Sequence, residues 1–275
     1  MKEQAFRFGR AHHMVGVAGV PAANAQAVGV VVLNAGLVHR IGPFRLHVEL
    51  TRRLNRCGYP TLRFDLSTVG DSGASGEPQT REQQVRADVA DAVSLLSRQS
   101  GCTRVVLIGL CSGAQNAHAV ASTDASVAGA IFLDGYAYRT FGYRVRHYLP
   151  RLFDTGRWLR AFAHRRNPAT AHSTEPVFSV APLPQKVVRA DFASMLDRGM
   201  KLCLIYSGGI SNYFNHARQF RECFGRVITR SGVSTRFVSE ADHTYILTGD
   251  RNGLLDDIER WLSNNFPVAN AGTPP

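Results

Sequence analysis

The sequence lacks any long apolar run. No stretch of about eighteen apolar residues occurs in its 275 residues, and the best run, Val28 to Val38, is short and carries Asn34, so a transmembrane helix is excluded. The opening Met1-Lys2-Glu3-Gln4 has no apolar h-region behind it, and a secretory leader is not expected. Cysteine is sparse and scattered. Cys57, Cys102, Cys111, Cys203 and Cys223 are odd in number and form no Cys-x-x-Cys pair. That argues against a disulfide frame or a zinc site and for reduced thiols in a cytoplasmic protein. The glycine-rich turns do not form Gly-x-Gly-x-x-Gly, so neither a dinucleotide nor any metal or organic cofactor is implied. Acidic residues are few: 21 Asp and Glu face 32 Lys and Arg, for a net charge of +11. The excess is local. Between Arg139 and Arg166 lie eight arginines and one acid, Asp154.

What is present is an alternation of strand and helix signals. Val28 to Leu33, Pro60 to Asp65, Thr103 to Leu110, Ser126 to Leu133, Lys201 to Tyr206 and Ser234 to Val238 are short apolar or β-branched runs. Continuous apolar strands are those of a parallel sheet buried on both faces. Helices are expected from Pro43 to Gly58, Thr80 to Ser100, Ser112 to Ser122, near Tyr213 to Phe224, and Leu254 to Phe266. The expected fold class is therefore α/β, a doubly wound and mostly parallel sheet. Residues 1–134 and 201–266 would form its core. Residues 135–200 break the pattern and read as an inserted, basic and aromatic helical lid, with a helix around Val187 to Leu196. Residues 267–275 read as a flexible tail.

The strongest local signal is Gly109-Leu110-Cys111-Ser112-Gly113, between an apolar strand and a helix of small residues. A residue at the tip of so tight a turn requires that bulk be absent two positions to either side. The helix beginning there offers free N–H groups and its positive dipole end, which favour a thiolate. The pattern resembles the nucleophile elbow of α/β-hydrolases, with cysteine at the tip. Cys111 is thus the candidate nucleophile. In that family's order the histidine follows the last strand, and His243, in Glu240-Ala241-Asp242-His243-Thr244, has that position. The acid is less evident. The loop Ser207 to Asn212 after the strand Lys201 to Tyr206 holds no carboxylate. Asp134, at the end of the preceding strand, ranks first. Asn212 and Asp242 are the alternatives. A thiolate–imidazolium pair depends less on an acid than a serine does. For the oxyanion, the N–H groups of Ser112, Gly36 and Leu37 are the candidates. His39 and Arg40 follow in that loop and either shape it or meet an anionic group. Asp65 to Gly73 reads as turn chemistry.

With these motifs in place, the chain resembles the α/β-hydrolase superfamily over nearly its full length. Asn34 to Arg45, Gly58 to Asp65, Gly70-Asp71-Ser72-Gly73 and Gly109-Leu110-Cys111 are similar to the exosortase-system-associated hydrolases, a branch linked to bacterial exopolysaccharide and protein-sorting loci. The cysteine elbow is also similar to that of dienelactone hydrolases and of cysteine acyl-shuttle enzymes of peptide natural-product pathways. The resemblance implies an esterase or thioesterase working through an acyl-cysteine, or an acyltransferase taking its group from a carrier-protein thioester. A non-catalytic module of the same fold that binds a ligand or partner is the competing reading.

The basic segment interleaves arginine with aromatics: Tyr143-Arg144-Val145-Arg146-His147-Tyr148 and Arg157-Trp158-Leu159-Arg160. Arg40, Arg144, Arg146 and Trp158 are candidates to contact an anionic substrate or an acidic acyl carrier protein. Peripheral contact with an anionic membrane is a second reading, and a solvated basic face a third. Nothing resembles a nucleic-acid-binding motif.

Overall fold

The computed structural model of the protein describes residues 2–22, 25–152 and 183–267. Eight strands form one sheet: β1 (Lys2–Phe8), β2 (Met14–Val20), β3 (Val28–Leu33), β4 (Thr61–Phe64), β5 (Arg104–Leu110), β6 (Val127–Leu133), β7 (Lys201–Ser207) and β8 (Val233–Val238). Their order is β1-β2-β4-β3-β5-β6-β7-β8. From β4 to β8 all pairings are parallel, while β1 and β2 add antiparallel. This is the doubly wound, mostly parallel sheet expected.

The apolar runs are continuous because both faces of the sheet are covered. Alternate side chains of each central strand point to opposite layers. Val31, Leu107, Phe132 and Leu204 join one core, closed by α2 (Arg81–Ser100), α3 (Ser112–Ala121), α5 (Gln185–Asp197) and α6 (Gln219–Phe224). Val30, Ile108, Ile131 and Ile205 join the other, beneath α1 (Leu46–Arg56) and α7 (Thr248–Asn265). Each such fully buried aliphatic side chain contributes about 1.5–3 kcal/mol relative to exposure.

Several boundaries differ from expectation. Strands β1 and β2 had no clear signal. β1 is a half-exposed edge strand, and β2 carries Gly16 and Gly19, which weaken a strand pattern. Those glycines are required by contact: a Cβ on Gly16 would lie 2.9 Å from that of Phe64, and one on Gly19 2.9 Å from the Thr61 hydroxyl. Pro43 opens a 3-10 turn rather than α1. Phe44 and Arg45 then take φ of 47° and 65°, so the α-helix starts only at Leu46. Helix α2 starts where expected, because Thr80 and Gln83 form a reciprocal capping box. Helix α7 begins six residues before Leu254.

Within residues 135–200, two helices are described. The first, α4 (Phe141–Leu152), is fastened to α6: Arg146 forms a bidentate ion pair with Glu222 (2.8 and 3.1 Å), and the Thr140 hydroxyl donates to the same carboxylate. Helix α5 buries Val188, Phe192, Met195 and Leu196 in the core beside β6 and β7. It is therefore part of the layer on the sheet. Trp158, Arg157 and Arg160 lie outside the described residues, as does the tail beyond 267.

Candidate active site

All the candidate catalytic groups emerge at the carboxyl ends of the parallel strands, where open α/β sheets place their sites. Cys111 directly follows β5 and caps α3 with φ 57° and ψ −118°, a strained conformation for a side-chain-bearing residue. The flanking glycines make that turn feasible. A Cβ on Gly109 would stand 2.1 Å from the Gly113 carbonyl oxygen, and one on Gly113 2.4 Å from that of Asn34. The Gly-x-Cys-x-Gly spacing is thus a packing requirement of the strand–turn–helix crossing.

His243 lies in the loop between β8 and α7. Its Nδ1 is 2.7 Å from Asp134 Oδ2, and its side chain also hydrogen-bonds the Cys111 thiol. Asp134 follows β6 directly, is buried, and has φ 47°. Its carboxylate also accepts the Ser207 N–H and the Ser207 hydroxyl, each at 2.6 Å. The structure thus brings Cys111, His243 and Asp134 into one hydrogen-bonded line. Asn212 is engaged through its backbone carbonyl, which accepts from Arg139 and Tyr143. Asp242 caps the local turn by accepting from Thr244 and the Ile246 N–H.

The absence of a carboxylate after β7 has a steric counterpart. There, a Cβ on Gly208 would lie 1.8 Å from the Ser239 carbonyl oxygen, and one on Gly209 2.1 Å from the His243 nitrogen. The loop bearing His243 packs directly on these glycines, and the acid arrives from β6 instead. Ser207, which holds Asp134 in place, went unnoticed in the sequence. Its position as the last residue of β7, where an acid is usual, is the signal that could have found it.

The electrostatics follow from these contacts. His243 is pushed up to about 10, first by the Asp134 hydrogen bond and then by that of Cys111, against the effect of burial. The Cys111 thiol is held below its ordinary value, chiefly by the His243 hydrogen bond, with help from the Ser112 N–H and against burial. Burial moves other thiols the opposite way: Cys57 and Cys223 rise to about 11 and Cys203 to about 12. The opposite directions of these two shifts favour the thiolate–imidazolium form of the pair, a nucleophile beside a proton donor.

The loop after β3 meets the elbow from the other side. Gly36, with φ 56°, donates its N–H to the Ser112 hydroxyl at 2.6 Å. Leu37 is 64 % exposed beside it. Arg40 is engaged within the protein and shapes this loop, one of the two roles expected of it. Its guanidinium pairs with buried Asp65 at 2.5 Å and with Asp71 at 2.6 Å, and its backbone N–H donates to Asp65. Asp65 also accepts from Asn34. Arg40 therefore ties the Gly36 loop to the turn after β4, because a buried carboxylate demands a counter-charge. Arg146 likewise pairs within the protein, with Glu222 and Asn215. Arg144 is exposed, and its side chain has no hydrogen bond or ion pair among the described residues.

A strand-ordered sheet with an elbow cysteine, a late-loop histidine and a buried aspartate defines a hydrolase-type α/β protein. The chain belongs to the alpha/beta hydrolase family, whose model matches residues 29–271. No curated protein sequence matches it. Among solved structures it is similar to an esterase from Pyrococcus furiosus, at 18% identity, TM-score 0.64, and coverage of 96% of this chain and 91% of that one. An esterase domain from Rhodothermus marinus gives 16% identity, TM-score 0.57, and 96% and 98% coverage. A serine hydrolase described as without lid, from Xanthomonas campestris, gives 12% identity, TM-score 0.53, and 99% and 96% coverage. At these identities the likeness is one of fold. Among the described residues, no helix is long and apolar enough to cross a membrane, and no cluster of His, Cys, Asp and Glu could hold a metal.

Proposed function

We propose that this protein is a cytoplasmic acyl-transfer enzyme that cleaves ester or thioester bonds through a covalent acyl-cysteine. The observation that carries the reading is the continuous Cys111–His243–Asp134 array with its lowered thiol. The Cys111 thiolate attacks the acyl carbonyl, forming the C–S bond while the carbonyl π pair moves onto oxygen. As the tetrahedral intermediate collapses, the bond to the leaving group breaks and His243 gives that group its proton. Asp134 holds the imidazole in the orientation and tautomer this requires and balances its charge. The neutral His243 then takes a proton from water or another acceptor as it attacks the acyl-cysteine, and Cys111 leaves as thiolate. None of these steps needs a cofactor.

The nature of the acceptor separates an esterase or thioesterase from an acyltransferase. An apolar acyl thioester on an acidic carrier protein is a donor suited to the thiol and to exposed Arg144; contact of the basic helix with an anionic membrane is the competing role of that charge. The test is intact-protein mass after brief exposure to acyl thioesters and activated esters, for wild type, Cys111→Ala and His243→Ala. An acyl adduct on wild type that is absent from Cys111→Ala is the expected result. Its lifetime with and without amine, thiol or alcohol acceptors distinguishes hydrolysis from transfer. No adduct from any donor, with Cys111 alkylated no faster than the other thiols, would leave the ligand-binding module as the better reading.

A further inference from the structure

Two of the three backbone donors expected to bind the oxyanion, those of Ser112 and Gly36, are already engaged in the resting site. The Ser112 N–H points to the Cys111 sulfur. The Gly36 N–H donates to the Ser112 hydroxyl at 2.6 Å. That second bond crosses between two loops that share no other side-chain bond, one after β3 and one at the start of α3. It also fixes the role of the hydroxyl oxygen: it is an acceptor there, so its own proton remains to be donated. Ser112 adjoins the nucleophile, and its hydroxyl is not fully buried.

We propose that the Ser112 side-chain hydroxyl is itself an oxyanion donor, polarised by the Gly36 N–H behind it. This assignment rests on the acyl-transfer reading of the site. As the Cys111 thiolate adds to the carbonyl carbon and the π electrons move onto oxygen, Ser112 turns its O–H toward that oxygen. No proton is transferred; the hydrogen bond strengthens as charge develops. The Gly36 N–H, a donor to the same hydroxyl oxygen, makes the O–H a better donor, since hydrogen bonds in series polarise one another. Ser112 is then a catalytic residue through its side chain, beyond any service from its backbone. The Gly36 loop acts at one remove, and the Arg40–Asp65–Asp71 network that anchors this loop acts as a positioning device.

The test compares two reactions of the same sulfur. Acylation by p-nitrophenyl acetate passes through an oxyanion. Alkylation by iodoacetamide is a displacement at carbon and builds none. Ser112→Ala should slow the acylation burst about 10- to 100-fold, below the full loss seen for single oxyanion donors because the freed Gly36 N–H replaces part of the function. Alkylation of Cys111 should keep its wild-type rate. Ser112→Thr, which retains an O–H, should recover most of the acylation rate. Unchanged or faster acylation of Ser112→Ala overturns the assignment and makes the hydroxyl a mere occupant of the Gly36 donor. An equal loss in both reactions also overturns it, in favour of a structural role. A wild type that is alkylated but never acylated overturns the acyl-transfer reading itself.

Discussion

Replacing Asp134 by asparagine tests how the thiolate is made. The carboxylate accepts three hydrogen bonds, from the Ser207 N–H, the Ser207 hydroxyl and His243 Nδ1. An asparagine must keep its oxygen on the Ser207 N–H, which has no alternative. Its NH2 then takes the place of Oδ2. The Ser207 hydroxyl can turn to accept from it, but His243 must accept at Nδ1 as well. The imidazole is thereby forced to carry its proton on Nε2, facing Cys111 as a donor to a neutral thiol and no longer as an acceptor of its proton. One charge-assisted hydrogen bond is lost, worth about 1.5–3 kcal/mol. That corresponds to roughly a 10- to 150-fold smaller thiolate fraction at neutral pH. The sign follows from the direction of the shift. Cys111 lies below its ordinary value because of His243, so losing the imidazolium moves its titration to higher pH. The assay is the iodoacetamide rate from pH 5 to 10. Wild type should reach its plateau at a lower pH than an ordinary thiol does. Asp134→Asn should be slower by that factor at pH 7 and recover at pH 10, even slightly exceeding wild type, since a more basic thiolate is the better nucleophile. Recovery at high pH separates this effect from a collapsed site. An unchanged profile would refute the assignment of Asp134.

Two further substitutions test the scaffold. Gly109→Ala forces a Cβ against the Gly113 carbonyl and should cost about 3 kcal/mol in urea unfolding, whereas Gly253→Ala, in α7 with open space around it, should gain about 0.5–1 kcal/mol; equal effects would mean that the elbow does not need its glycines. Arg40→Met keeps the stem but leaves buried Asp65 without a counter-charge, and should lower stability by about 3 kcal/mol. A melting temperature equal to that of wild type would show that the pair carries no such burden.

The parallel strands were legible because burial on both faces writes itself as unbroken apolar runs, as in Val105 to Ile108. Cys111 was legible because steric exclusion around a sharp turn leaves glycine at fixed offsets, and His243 because chain order fixes its loop. Asp134 could be ranked but not singled out: it lies one strand from the usual place of an acid, and what fills that place, glycines packed beneath the His243 loop, is a contact between distant segments. The internal partners of Arg40 and Arg146 were not legible, for a related cause. A charge shows in the sequence, but its partner does not, and Asp65 and Glu222 lie 25 and 76 positions away. β1 and β2 escaped notice because exposure and glycine erase the strand pattern.

The way Asp134 is held has a consequence for motion. Its backbone N–H donates to the Ile205 carbonyl at 3.0 Å, continuing the β6–β7 pairing. Its carboxylate then receives the Ser207 N–H, the position where the next carbonyl of the ladder would stand. The side chain is in effect one more rung of the sheet. Its rotamer is locked by the same cooperative bonding that holds the two strands together, and local opening of the acid requires the end of β6 and β7 to unzip. Amide exchange at Ser207 would therefore report the integrity of the Cys111–His243–Asp134 line directly, and the candidate site inherits the rigidity of the β-ladder rather than that of a loop.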